Sequence, residues 1–204
     1  STVAGLASTC GSGAMSNSIG DISQSKCCCI IGSNTFEQHP LIGRQVMLAK
    51  KNGAKIIYAD PRLTPTGKQA DLYMAFRSGS DVAIFNGLMQ EILKNGWEDK
   101  EFIAKRTKDF DKLKEEVMKP DYSLENVSTI SGIPVEQLKT AAEWFGKAES
   151  ACILYSMGIT QHTTGVDNVR SVANIQMLTG NLGRPGTGVN ALRGQNNVQG
   201  ACDM

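Results

Sequence analysis

Between Cys27 and Arg62 the hydrophobic period switches twice, and that switch restricts the fold more than any other feature. Cys27 to Ile31 is a short apolar run closed by Gly32, the pattern of a strand buried on both faces. Pro40 suits the first turn of a helix, where its missing N–H leaves no bond unmade. Ile42, Val46 and Ala49 then share one helical face, and Gly53 ends the helix. Lys55 to Ala59 is a second buried strand. A strand, a crossover helix and another strand require a parallel pair with a right-handed connection. The spacing therefore predicts an α/β chain.

Such units bind ligands at the carboxyl ends of their strands. Gly32, Ser33, Asn34, Glu37 and Gln38 follow the first strand, and Asp60 and Arg62 follow the second. Short polar side chains and free N–H groups near a helix start suit a phosphate. An acid after the second strand suits ribose hydroxyls or a purine edge. The loop is not Gly-x-Gly-x-x-Gly, so an ordinary NAD site is not indicated. Read alone, this stretch equally fits a parallel-sheet turn with no ligand.

The chain's 204 residues suffice for one sizeable domain with its own core. A net charge of +1 with mixed signs gives no electrostatic case for nucleic acid or an anionic membrane. No apolar run is long enough to span a bilayer, no signal-peptide pattern exists, and no membrane insertion is expected. Of six cysteines, Cys27, Cys28 and Cys29 are consecutive and alternate faces in a strand. No Cys-x-x-Cys spacing points to zinc or an iron–sulfur cluster. Buried thiols acting as small hydrophobes fit a reducing, cytoplasmic compartment. The chain opens without Met and stops at Cys-Asp-Met, so it reads as a piece of a longer protein.

Residues 1–19 are rich in small side chains and read as a flexible leader with a short helix. Residues 72–76 give a third strand. A clear helix follows from Asp81 to Asn95, with Ser80 as N-cap and Gly96 as stop. Gly79 and Asp81 thus sit at a helix start beside a strand end, where Asp81 also favours the helix dipole. Residues 98–132 read as a solvated, peripheral helical insert with no site. After a helix over residues 134–148, residues 151–156 form a fourth strand, followed by Met157 and Gln161 and a helix over 166–179. Residues 181–200 show little helix or strand period and are rich in Gly, Asn and Gln, with two arginines. A long polar loop in a compact domain is usually functional or disordered. Together, Asn34/Glu37, Asp60/Arg62, Met157/Gln161, Gly79/Asp81 and the Gln195 loop are expected to line one sheet edge and take a long polar ligand such as a dinucleotide.

Several stretches resemble the molybdopterin oxidoreductase family. They are Gly-Ser-Gly-Ala-Met-Ser-Asn (11–17), Gly-Ser-Asn-Thr-Phe-Glu-Gln-His-Pro (32–40), Asn-Gly-Ala-Lys-Ile-Ile-Tyr-Ala-Asp-Pro-Arg (52–62), Met-Gly-Ile-Thr-Gln (157–161) and Met-Leu-Thr-Gly-Asn-Leu-Gly-Arg-Pro-Gly-Thr-Gly-Val-Asn (177–190). The ending Leu-Arg-Gly-Gln-Asn-Asn-Val-Gln-Gly-Ala-Cys-Asp-Met is most similar to catalytic subunits of formate dehydrogenases. Periplasmic-type nitrate reductases share the architecture and are the near alternative; a non-catalytic nucleotide-binding module is another.

The resemblance implies a three-layer αβα domain on a mostly parallel, doubly wound, Rossmann-like sheet over residues 1–190, with 191–204 leading to a further domain. It implies molybdenum or tungsten held by two pterin guanine dinucleotides, one of them on this domain. Asn34, Glu37 and Gln38 match the loop along the phosphate and pterin. Asp60 and Arg62, with Gly79 and Asp81, match guanosine contacts. Met157, Gln161 and Gln195 match residues near the pterin and metal. Arg193 matches the arginine that holds formate, and its planar guanidinium can grip a carboxylate with two N–H bonds. The family's metal-ligating selenocysteine or cysteine lies just before the segment that matches Ser1, and its 4Fe-4S cysteines lie further upstream. Cys10 matches neither. The resemblance implies the remaining domains and an iron–sulfur or flavin electron-transfer subunit as partners. The 204 residues alone are expected not to oxidise formate. His162 reads as a surface residue, and His39 is explained by the start of a helix.

Overall fold

A computed structural model describes residues 1–196 and 198–203; Asn197 and Met204 of the closing motif lie outside the described residues. Five strands form one sheet: β1 (Cys27–Ile31), β2 (Lys55–Ala59), β3 (Leu72–Met74), β4 (Ala151–Tyr155) and β5 (Gly188–Ala191). Their order is β3-β2-β1-β4-β5, and every neighbouring pair is parallel. Cys29 is in register with Ile57 on one side and Ile153 on the other.

Helices cover both faces. They are α1 (Thr2–Cys10), α2 (Thr35–Gln38), α3 (Pro40–Lys51), α4 (Asp81–Asn95), α5 (Lys100–Arg106), α6 (Phe110–Val117), α7 (Leu124–Ser131), α8 (Val135–Gly146), α9 (Met157–Thr160), α10 (Gly165–Leu178) and α11 (Val198–Asp203). Because strand side chains alternate, the three cysteines divide between two cores. Cys27, Cys29, Ile57 and Ile153 pack with α1, α4, α8 and α10. Cys28, Ile56, Cys152 and Leu154 pack with Ile42, Val46 and Ala49 of α3, the stripe expected from the spacing. A sheet buried on both faces needs apolar residues at successive positions, which Cys-Cys-Cys-Ile-Ile supplies.

Three segments differ from expectation. Residues 2–10 are a packed helix rather than a flexible leader: Leu6 is 1% exposed. Its small residues serve close packing, since a Cβ on Gly5 would lie 2.5 Å from Val169 Cγ1 of α10. The region of residues 98–132 is only half solvated. Val117, Leu124 and Val127 are buried, and Val127 sits where a Cβ on Gly87 of α4 would be 2.8 Å away. The Gly/Asn-rich tail contains β5, whose four residues are all buried. A short edge strand with one large apolar residue leaves no legible period. Its backbone is tied instead from the side: Ser16 N donates to Val189 O (3.1 Å), and Val189 N donates to Ser16 Oγ (3.0 Å). The loop after α1 thus covers an edge that would otherwise offer unpaired amides.

Candidate functional site

In this strand order the chain leaves β1 toward β2, while β4 and β5 lie on the other side. The crevice between the β1 and β4 ends is therefore a topological switch point, where open parallel sheets bind ligands. Gly158 N donates to Gly32 O at 3.0 Å. A Cβ on Gly158 would lie 2.5 Å from Gly32 Cα, and Gly32 itself has φ +58°. The crevice floor requires glycine on both sides.

A cavity of about 500 Å³ opens above this floor, lined by Asn34, Glu37, Gln38, Asp60, Arg62 and Met157. Asn34 Oδ1 accepts from Thr66 Oγ1 (3.2 Å), which in turn accepts from Phe36 N (3.0 Å), so the β1 loop is braced from the β2 side. Asp60 Oδ1 accepts from Arg62 N at 2.9 Å, and Asp60 O accepts from Tyr73 Oη at 3.1 Å. This turn presents both residues at the β2 end. Glu37, Gln38 and Arg62 remain exposed.

A second cavity of about 180 Å³ shares Ser156 and Met157 with the first and is lined by Tyr155, Gln161, Arg193 and Gln195. Arg193 Nη2 donates to Gly13 O at 2.7 Å, while its Nε is buried without a partner. The Tyr155 hydroxyl is also buried and unpartnered. Burial pushes its pKa up to about 12, against the opposing pull of the Thr2 side chain and the Arg193 charge.

Gly79 and Asp81 line neither cavity, although they follow β3 on the same sheet edge. Gly79 takes φ +88° to turn the chain into α4. The Asp81 carboxyl is buried beneath, with the Asp81 and Gly79 amides nearby but no well-formed bond to either oxygen. Burial raises its pKa, opposed by its own amide, His162 and the Gly79 amide.

Residue spacing did not single out Tyr155, and it undervalued two histidines. His162 Nε2 lies 2.9 Å from Gly158 O, so it helps hold the crevice floor rather than standing free on the surface. His39 does begin α3, but its Nε2 also reaches Arg193 O at 2.7 Å. That contact joins the loop after β1 to the chain just beyond β5, and a helix start does not explain it. No local sequence signal carries such a long-range pair.

The Molybdopterin oxidoreductase family model matches residues 4–204. The chain belongs to the molybdopterin oxidoreductase family. Two relatives are the F420-dependent formate dehydrogenase 1 subunit alpha of Methanococcus maripaludis, 56% identical, and formate dehydrogenase H of Escherichia coli, 44% identical, each over 203 residues. The alignments cover 100% of this chain but 30% and 28% of those proteins, so the chain spans under a third of the relatives it matches. Acetylene hydratase from Pelobacter acetylenicus has a similar fold, with TM-score 0.81 and 25% identity over 93% of this chain and 25% of that one.

Membership of the molybdopterin oxidoreductase family implies a molybdopterin cofactor, and the residues present fit one. The glycine floor lets the β1 and β4 loops meet beneath a cavity that stays open above them. Arg193 Nε is a buried donor with no acceptor, and the Tyr155 hydroxyl makes no well-formed bond although the Thr2 side chain lies beside it; both suit a heteroatom-rich ring system. Among the described residues no three His, Cys, Asp or Glu side chains converge as a metal-ligand set. No helix among them is long and apolar enough to cross a membrane.

Proposed function

We propose that this chain holds one molybdopterin guanine dinucleotide, carrying molybdenum or tungsten, within the catalytic subunit of a formate dehydrogenase. The observation behind this reading is the order of chemistry along the rim. Strand order sets Gly79 and Asp81 after β3, Asp60 and Arg62 after β2, Asn34, Glu37 and Gln38 after β1, Met157 and Gln161 after β4, and Arg193 and Gln195 after β5. Neighbouring strands lie about 4.8 Å apart, so β2 to β5 spans roughly 14 Å, a length suited to a dinucleotide lying across the crevice. Guanosine lies at the Asp60 end, with Gly79 and Asp81 beside it. The phosphates cross the glycine floor by Asn34, and the pterin faces Met157, Gln161 and Gln195.

Arg193 closes this line. Its guanidinium holds the formate carboxylate by charge-assisted N–H bonds. When bound, the cofactor supplies two-electron transfer at its metal, and the chain orients substrate and cofactor. Residues 191–204 lead to a further domain, and the remaining domains bring a 4Fe-4S cluster. The acceptor is an iron–sulfur or flavin subunit in the cytoplasm; the relatives named F420-dependent favour an F420-linked one.

The test compares two variants of the full-length subunit. Asp60→Ala is expected to lower acid-released GMP and metal together. Arg193→Ala is expected to keep both yet lose formate-dependent dye reduction. Unchanged GMP in the first and unchanged turnover in the second would overturn the reading. The isolated 204 residues are expected to reduce no dye with formate.

A further inference from the structure

We propose that His39 is a positioning residue for Arg193, tying the loop after β1 to the chain just beyond β5 so that the guanidinium keeps its place. The proposal rests on the reading of Arg193 as the formate-holding side chain. A carbonyl only accepts, so in the 2.7 Å contact His39 Nε2 carries the hydrogen and donates to Arg193 O. In the neutral ring Nδ1 then keeps its lone pair, and this atom is buried without a partner.

Both ends of the tether are anchored on its own side. His39 N donates to Thr35 O (2.9 Å), and Gly43 N donates to His39 O (2.9 Å), which locks the ring's backbone into the α2–α3 junction. Across the contact, Leu192 N donates to Tyr155 O (2.8 Å), and Ser156 Oγ donates to Leu192 O (3.1 Å). Beyond that point support ends. A Cβ on Gly194 would meet nothing within 4 Å, and Gln195 is exposed. Among the described residues, neither Gly194 nor Gln195 bonds back to the sheet through its backbone. Among the described residues, His39 therefore makes the last hydrogen bond from the body of the fold to the main chain beyond β5. The Arg193 side chain has only one described bond of its own, to Gly13 O at 2.7 Å. A displaced guanidinium no longer aligns its N–H donors with the carboxylate, so the substrate is held more weakly. A single hydrogen bond at the base of the arginine is placed to prevent such a shift.

The experiment uses the full-length holoenzyme with His39→Ala, His39→Gln and His39→Asn. A glutamine amide nitrogen falls where Nε2 does; an asparagine amide falls where Nδ1 does. In hydrogen–deuterium exchange, the peptide spanning residues 190–195 should exchange about tenfold faster in the Ala and Asn variants, the loss of one hydrogen bond. Their KM for formate should rise about tenfold with kcat within twofold, and metal and acid-released GMP should stay constant. His39→Gln should match the parent in both readouts. Unchanged exchange and KM in His39→Ala would overturn the proposal, as would rescue by Asn rather than Gln. If exchange rises but neither His39→Ala nor Arg193→Ala alters the formate KM, the tether stands and the formate reading of Arg193 falls.

Discussion

Two basins of about 770 and 760 Å³ open where α1 and α10 meet the helices of residues 98–132, while the strand-end cavities hold about 500 and 180 Å³. The basins are larger, but their polar groups are met by water or by neighbours. Two of their lysines are exposed and paired nearby, Lys112 with Asp109 at 2.7 Å and Lys105 with Glu101 at 2.6 Å. Among the described residues, none lining a basin carries a buried polar atom without a partner. Lining the smaller rim cavity, Arg193 Nε and Tyr155 Oη are both such atoms. Leaving a buried polar group unmet costs about 1–3 kcal/mol. A fold that keeps two in one small cavity has given up stability there, and a ligand that meets them restores it. Unmet polarity, rather than volume, separates the two regions.

The comparison breaks most readily at Arg193. Arg193→Lys in the full-length subunit keeps the charge but loses the planar pair of donors. Formate kcat/KM should fall about a hundredfold, equivalent to roughly 2–3 kcal/mol of charge-assisted bonding. Steady-state dye reduction measures it, and near-parent activity would remove the rim's claim to a carboxylate. Gly158→Ala comes next. A Cβ 2.5 Å from Gly32 Cα forces backbone from backbone. The cost should be about 1–3 kcal/mol of stability, seen as a lower melting midpoint, together with reduced bound GMP. If the midpoint and GMP content are retained, the crevice floor yields more easily than the contact implies.

Most of the sheet was legible because buried parallel strands write themselves as unbroken apolar runs: Cys27–Ile31, Lys55–Ala59 and Ala151–Tyr155. β5 was not legible, since Gly-Val-Asn-Ala has no period and depends on Ser16 for its edge. The rim residues Asn34, Asp60 and Met157 could be placed once the strands were, because a parallel sheet puts all its strand ends on one side. Tyr155 and His39 were hidden for a different reason. Tyr155 reads as the last apolar residue of a strand, and only the folded structure reveals a buried hydroxyl without a well-formed bond. The partner of His39 lies 154 residues away, and one sequence holds no trace of such a pairing.

A smaller effect sharpens the same contrast through pH. Burial holds the Tyr155 hydroxyl at a pKa of about 12, above its ordinary value of 10.0. Between those values the unfolded chain releases this proton while the folded chain keeps it. Stability therefore falls as pH rises from about 10 to 12, and below about pH 9 the group contributes no slope. Tyr155→Phe should make the alkaline decline shallower by up to one proton, about 1.4 kcal/mol per pH unit. Cys29, also raised to about 12 by burial, acts in the same direction in both proteins and cancels in the difference. Denaturant midpoints at pH 9, 10 and 11 measure the slope; identical slopes would mean that the hydroxyl is solvated in solution.

The smallest expected effect lies in the larger hollow. Lys112 borders the 770 Å³ basin and pairs with Asp109 three positions earlier, both well exposed. Water screens such a pair, and holding two long side chains together offsets much of its attraction. Lys112→Gln removes the charge while keeping most of the stem. The melting midpoint, bound GMP and formate KM of the full-length subunit should all match the parent. A fall in GMP content or a rise in KM would show that the basin communicates with the cofactor, and would make volume as good a guide to this molecule's chemistry as unmet polarity.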